Sequence, residues 1–102
     1  MEDAVVKAFN RRMVLIYERA KSESGYNATY FLKMLSDHGG LETARRLVGS
    51  SQPSEGFTQL YLKGRLDLTV ESLVLEDEFS GLFSDELIEL ARYRLRDYGL
   101  TV

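Results

Sequence analysis

Residues able to do chemistry are few in this chain. One histidine, His38, stands beside the Gly39-Gly40 pair, and no second imidazole exists to share a metal or relay a proton. The absence of cysteine removes thiolate nucleophiles, thiolate zinc sites and disulfides together. A nucleophile–histidine–acid arrangement would need His38 with one of several serines. His38 reads instead as a residue at a helix C-terminus, where a partly charged imidazole interacts well with the last free carbonyls.

Carboxylates are the next candidates. Glu76, Asp77 and Glu78 are consecutive, and three acids in one turn point in different directions. Metal and acid–base sites instead hold carboxylates on opposed elements around a cleft. Asp67 and Glu71 stand four apart around a helix start with Thr69 between them, a pattern of capping. Neither Gly39-Gly40 nor Gly49 has the spacing of a P-loop or a dinucleotide fingerprint, and no lysine follows in the required place. A nuclease core of Asp followed by Glu-x-Lys is missing too. The sequence therefore predicts no catalytic residue, no cofactor and no metal, and a binding role rather than an enzyme.

Two kinds of partner can be read from the remaining residues. The net charge is −3, but residues 1–51 carry eight basic and six acidic groups, while residues 52–102 carry five and ten. Arg11, Arg12, Arg19, Lys33, Arg45 and Arg46 could converge on one positive face suited to backbone phosphates, which makes a nucleic-acid-binding module the alternative reading. Gly39-Gly40 between two helices suggests a helix-turn-helix. Aligning either glycine to the turn, however, leaves Arg45 or Arg46 where an apolar residue belongs. Tyr26, Tyr30, Tyr61, Tyr93 and Tyr98 could stack on bases, but beside leucines at helical spacing they read as core-edge rings with wet hydroxyls. The leading reading is protein–protein association, as a homodimer or as a subunit of a larger bacterial assembly. Its candidate surface is Val5, Val14 and Leu15, which widen the first helix's apolar stripe, with Leu82 and Phe83 after an acidic turn. Covering of that surface by the short middle helices is the competing expectation.

These residues must be positioned by helices. Val6, Phe9, Met13, Ile16 and Ala20 recur at steps of three and four, which predicts a helix from Ala4 to about Glu23 with Gly25 as its stop. Asn27 is the expected N-cap of a second helix carrying Phe31, Leu32 and Leu35, broken at Gly39-Gly40. A third follows with Leu41, Ala44, Leu47 and Val48 inward, and ends at Gly49. Ser54 caps a short helix with Phe57, Leu60 and Tyr61 on one side, closed by Gly64. Arg65 to Leu68 reads as a connector, and Thr69 caps another short helix with Val70, Leu73 and Val74. Ser84, followed by Asp85 and Glu86, starts the last helix, whose stripe is Leu87, Leu90, Ala91, Leu95 and Tyr98. Arg92, Arg94 and Arg96 load its last turns with cations, and Gly99 with Leu100 forms its C-cap.

The result is an all-α fold. It is a compact single-domain bundle of about six helices spanning residues 1–102, with long first and last helices and short ones between. No apolar run approaches the length needed to span a bilayer, and the start Met1-Glu2-Asp3-Ala4 is unlike a secretory signal, so a cytoplasmic protein without membrane contact is expected. The blocks Gly25-Tyr26-Asn27-Ala28-Thr29, Gly39-Gly40-Leu41, Gly64 to Glu71 and Ala91 to Gly99 together resemble a family of small uncharacterised bacterial proteins of about this length. The resemblance covers nearly the whole chain. It implies an accessory role near nucleic-acid machinery and carries no activity, cofactor or catalytic residue.

Overall fold

The computed structural model describes residues 3–102, so the acidic Met1-Glu2 start lies outside the described residues. Asp3 opens α1 (Ala4–Ser24), its side chain accepting from the Val5 amide at 2.7 Å. The predicted stripe is buried in full at Phe9, Met13, Ile16 and Ala20, while Val6 is half-buried. Gly25, at φ 73°, ends the helix, and the Tyr26 amide reaches back to the Ala20 carbonyl at 3.1 Å.

α2 (Thr29–Gly49) is two helices in one span. Gly39 interrupts it at φ 79° and ψ 172°, a conformation that a side chain would strain. The expected break at Gly39-Gly40 is therefore present. The second half of α2 is capped from a distant element: Asn10 of α1 accepts from the Gly40 amide at 3.0 Å. Asn27 does not cap the first half. Its Oδ1 instead accepts from the Tyr17 hydroxyl at 2.7 Å, and Ala28 occupies the N-cap with no side-chain bond.

The short elements follow as α3 (Glu55–Leu62), a 3-10 helix (Leu66–Leu68), α4 (Val70–Val74) and α5 (Asp77–Ser80). Ser54 caps α3, Thr69 caps α4, and Ser84 caps α6 (Asp85–Asp97), each as its local sequence predicts. The last helix closes with Gly99 at φ 96° and the Leu100 amide bonded to the Leu95 carbonyl at 2.9 Å. The connector at Arg65 to Leu68 is in part helical, with Leu68 buried.

Two apolar clusters form the interior. The larger gathers α1, the second half of α2, α4, α5 and α6 around Phe9, whose ring meets Phe79 and Phe83 edge-on at 5.3 Å each. The smaller joins Ala20, Leu60 and Leu68, with Tyr26 against them. α1 packs most extensively on α2, whereas α3 rests mainly on the 3-10 helix. Tyr98 ties α3 to the end of α6, its ring 5.0 Å from both Phe57 and Tyr61. All described elements are helical, as the all-α reading expects. No described helix is long and apolar enough to cross a membrane.

A Cβ at Gly40 would overlap Asn10 Oδ1 and stand 3.4 Å from the Asn10 Cα. Gly40→Ala is thus expected to displace the cap and lower unfolding free energy by roughly 1–3 kcal/mol. Urea denaturation followed by circular dichroism measures it, and an unchanged midpoint would show that α1 and α2 do not meet as described.

Candidate functional site

The most buried charges belong to Glu71 and Arg94. Glu71 lies in the first turn of α4 and Arg94 in the last turns of α6, with side chains only 2% and 9% exposed. Arg94 Nη1 donates to Glu71 Oε2 at 2.9 Å and to the Leu47 carbonyl at 3.2 Å, and Nη2 donates to the Ser50 carbonyl at 2.6 Å. One guanidinium thus neutralises a carboxylate and caps the end of α2, satisfying carbonyls that helix geometry leaves open. Burial pushes the Glu71 carboxyl up, while the hydrogen bond and charge of Arg94 work against that. Local sequence alone makes Glu71 part of a capping pattern and Arg94 one of three C-terminal cations. The signal that could have separated Arg94 from its neighbours is its place three residues after Ala91, on the flank of the buried stripe. Leu90, assigned to that stripe, is 45% exposed instead.

Beside this pair lies a cavity of about 670 Å³ between α1, the Gly25–Ala28 connection, both halves of α2, and α3. Its walls are mainly apolar, including Ile16, Phe31, Met34, Leu47, Phe57 and Leu68. Tyr17, Tyr26 and Tyr30 add rings and hydroxyls, and Arg46, Glu55 and Glu71 add charge. Burial pushes the Tyr26 phenol up, and the Glu55 charge adds to the effect. The size and lining suit an organic ligand.

The six basic candidates are scattered over paired positions. Arg12 Nη2 donates to Glu76 Oε2 at 2.6 Å, Arg19 pairs with Glu23 at 2.8 Å and Lys33 with Asp37 at 3.0 Å. Glu42 receives Arg46 at 2.9 Å and Arg45 at 3.9 Å. Arg11 is exposed on the outer side of α1. Most of their positive charge thus has an acid of this chain beside it. Of the predicted carboxylates, Glu76 holds Arg12, Asp77 and Glu78 are exposed, and Asp67 is bound to Arg65 at 3.0 Å, far from pairing with Glu71 in function. His38 is exposed. Tyr93 and Tyr30 are each 72% exposed, while Tyr26 and Tyr98 pack inward.

The candidate partner surface divides. Val14 and Leu15 remain 42% and 43% exposed, so the short helices do not cover them, and Val5 is exposed as well. Consecutive helix positions point about 100° apart, so they do not form one stripe. Val14 lies beside Leu32 and Leu35 of α2 in a shallow hollow. Leu15 sits on the flank of Arg12 and Arg19, and Val5, two turns before Arg12, shares it. Phe83 is corrected from a surface residue to a core one: it is buried against Phe9, and Leu82 is half-buried on the same cluster. The single turn after α5 is too short to hold the pair away from the core.

Four charges close the far side of the smaller cluster. Arg65 donates to Glu23 at 2.8 Å and to Asp67 at 3.0 Å, while Arg19 also holds Glu23. Arg19 and then Arg65 hold the Glu23 carboxyl down at about 2, against an ordinary 4.5. A depressed carboxyl stabilises the fold above its unfolded value, so this contribution is present above about 4.5 and lost as pH falls through about 2. The raised Glu71 carboxyl has the opposite sign: its contribution is greatest below the ordinary value and declines as pH rises. The wild-type minus Glu23→Gln difference in unfolding free energy should therefore shrink as acid is added below pH 4.5, measured by denaturation at stepped pH. Removal of the buried carboxylate strands Arg94, so Glu71→Ala should cost roughly 3–5 kcal/mol by urea denaturation. A loss below ~1 kcal/mol would show the pair to be solvated. Comparison with protein-family models, curated proteins and solved structures found no match to this chain.

Proposed function

We propose that the protein is a non-catalytic binding module that acts through protein–protein association, with a second copy of its own chain as the partner. The observation that carries this reading is the open seam between α1 and α2. Val14 is 42% and Leu32 41% exposed there, with Leu35 half-buried between them, although the chain has several short helices that could have covered them. Burying such apolar area against a matching surface releases water at about 25 cal/mol per Å². The rim carries both signs of charge, through Lys33 and Asp37 on α2 and Lys7, Arg11 and Glu18 along α1. A two-fold contact brings the same patch against itself, and a rim of mixed sign lets unlike charges meet across the axis. The nucleic-acid alternative has weaker support, because Arg12, Arg19, Lys33, Arg45 and Arg46 already sit beside carboxylates. Counterion release needs cations free to meet phosphate.

Light scattering across a concentration series up to ~1 mM, where an association of only ~4 kcal/mol registers, tests the reading. The expected result is a mass rising toward twice the monomer, returned to one by Leu32→Asp or Val14→Asp with the helical circular dichroism unchanged. A mass that stays at the monomer value overturns self-association. A dimer indifferent to both substitutions overturns the seam as its contact.

A further inference from the structure

The cavity beneath α3 does not belong to the α1–α2 seam, since the first half of α2 turns Tyr30, Phe31 and Met34 to the cavity but Leu32 and Leu35 to the seam. Its geometry points to a binding site for an organic monocation with a bulky apolar body.

Shape supplies the first argument. A space of about 670 Å³ is within the range that holds a ligand of drug size. It falls between the two apolar clusters rather than inside one: Ile16 and Val70 belong to the larger, Ala20, Leu60 and Leu68 to the smaller, and all five line it. Interiors otherwise close to the density of organic crystals, so a gap of this size persists only where its walls are held apart. Here two charged ties hold them. Arg94 fixes the end of α2 on one side, and Arg65 fixes the 3-10 helix to the end of α1 on the other.

Charge supplies the second. Three charged residues line the cavity: Glu71 is paired with Arg94, and Arg46 bonds through Nε to Glu42, a carboxylate it shares with Arg45. Glu55 is exposed at the start of α3 and has no ion pair among the described residues. Of the two carboxylates on the cavity, Glu55 is the one with no cation of the described residues paired to it.

Rings supply the third. A Cβ at Gly56, next to Glu55, would lie 3.8 Å from both Cε2 and the hydroxyl of Tyr26, so the start of α3 rests on that ring. Tyr17, held by its hydrogen bond to Asn27, and Tyr30 stand on the same cavity. Aromatic faces attract a cation through their quadrupole, and Glu55 adds a full charge beside them. An anion would meet the same faces and the same carboxylate, and the cation on the wall, Arg46, has Glu42 beside it.

Isothermal titration with tetraphenylphosphonium and with tetraphenylborate tests the site, since the two ions share a shape and differ in charge. The cation is expected to bind at least about tenfold more tightly than the anion. Glu55→Gln should weaken the cation roughly three- to tenfold, while Glu78→Gln, an equal change in net charge on α5, should leave it unaltered. Met34→Trp, which puts an indole into the cavity, should weaken binding of both ions. Equal or tighter binding of the anion overturns the charge assignment. Equal weakening by Glu55→Gln and Glu78→Gln overturns the site, as does no cation binding up to ~1 mM. Should Met34→Trp fail to fold, the two exposed glutamate variants still decide between these outcomes.

Discussion

Arg94 is the point on which the arrangement turns. Its guanidinium leaves water only because it can spend its donors on one carboxylate and two main-chain carbonyls. Those acceptors come from α4 and from the end of α2 with the loop after it, so these two stretches must meet α6 at one rigid planar group. Ion pairs of this kind add little net stability over apolar replacements of the same volume. They are strict about geometry, because every wrong arrangement strands a charge.

The placement of α3 follows from that constraint. Ser50 is anchored by Arg94, so the Ser50–Ser54 loop leaves the core from a set position and carries α3 away from α2. At its far end α3 is recovered by Gly64 at φ 72° and by the Arg65 bonds to Glu23 and Asp67. α3 thus spans a gap rather than closing it, and the cavity is what lies beneath. The two ties differ in kind. The Glu71–Arg94 pair is sheltered from salt, whereas the Arg19–Glu23–Arg65–Asp67 group faces solvent and is screened by it. The outer edge of the cavity is accordingly the side whose hold depends on ionic conditions.

Much of the fold was legible from neighbours along the chain. Phe9, Met13, Ile16 and Ala20 repeat with the helix period, and Ser54, Thr69 and Ser84 each satisfy the amide three residues ahead. Gly39 and Gly99 mark stops because only glycine adopts their backbone angles without strain. The same local reading misplaces Asn27 and Phe83 and offers no role for Asn10. Asn27 has cap chemistry but found a closer partner in Tyr17, Asn10 found Gly40 thirty residues away, and Phe83 had a core ring within reach. Of the candidate site, the glutamate at position 71 was singled out for its spacing to Asp67, yet its partner lay 23 residues further on. No spacing rule connects them.

The sequence by itself determined which chemistries are closed to the chain, through its lack of cysteine and its single histidine, and it determined where most helices start and stop. Those properties depend on composition and on contacts within about four residues, which covalent order imposes. Tertiary structure alone decided that Arg94 is buried while Leu90 is not, that Val14 and Leu32 stay open, and that a cavity separates two clusters. The reason is that burial is a property of facing surfaces. An amphipathic stripe says only that some face must be covered, and which element covers it is settled where all the helices, their charges included, must share one interior.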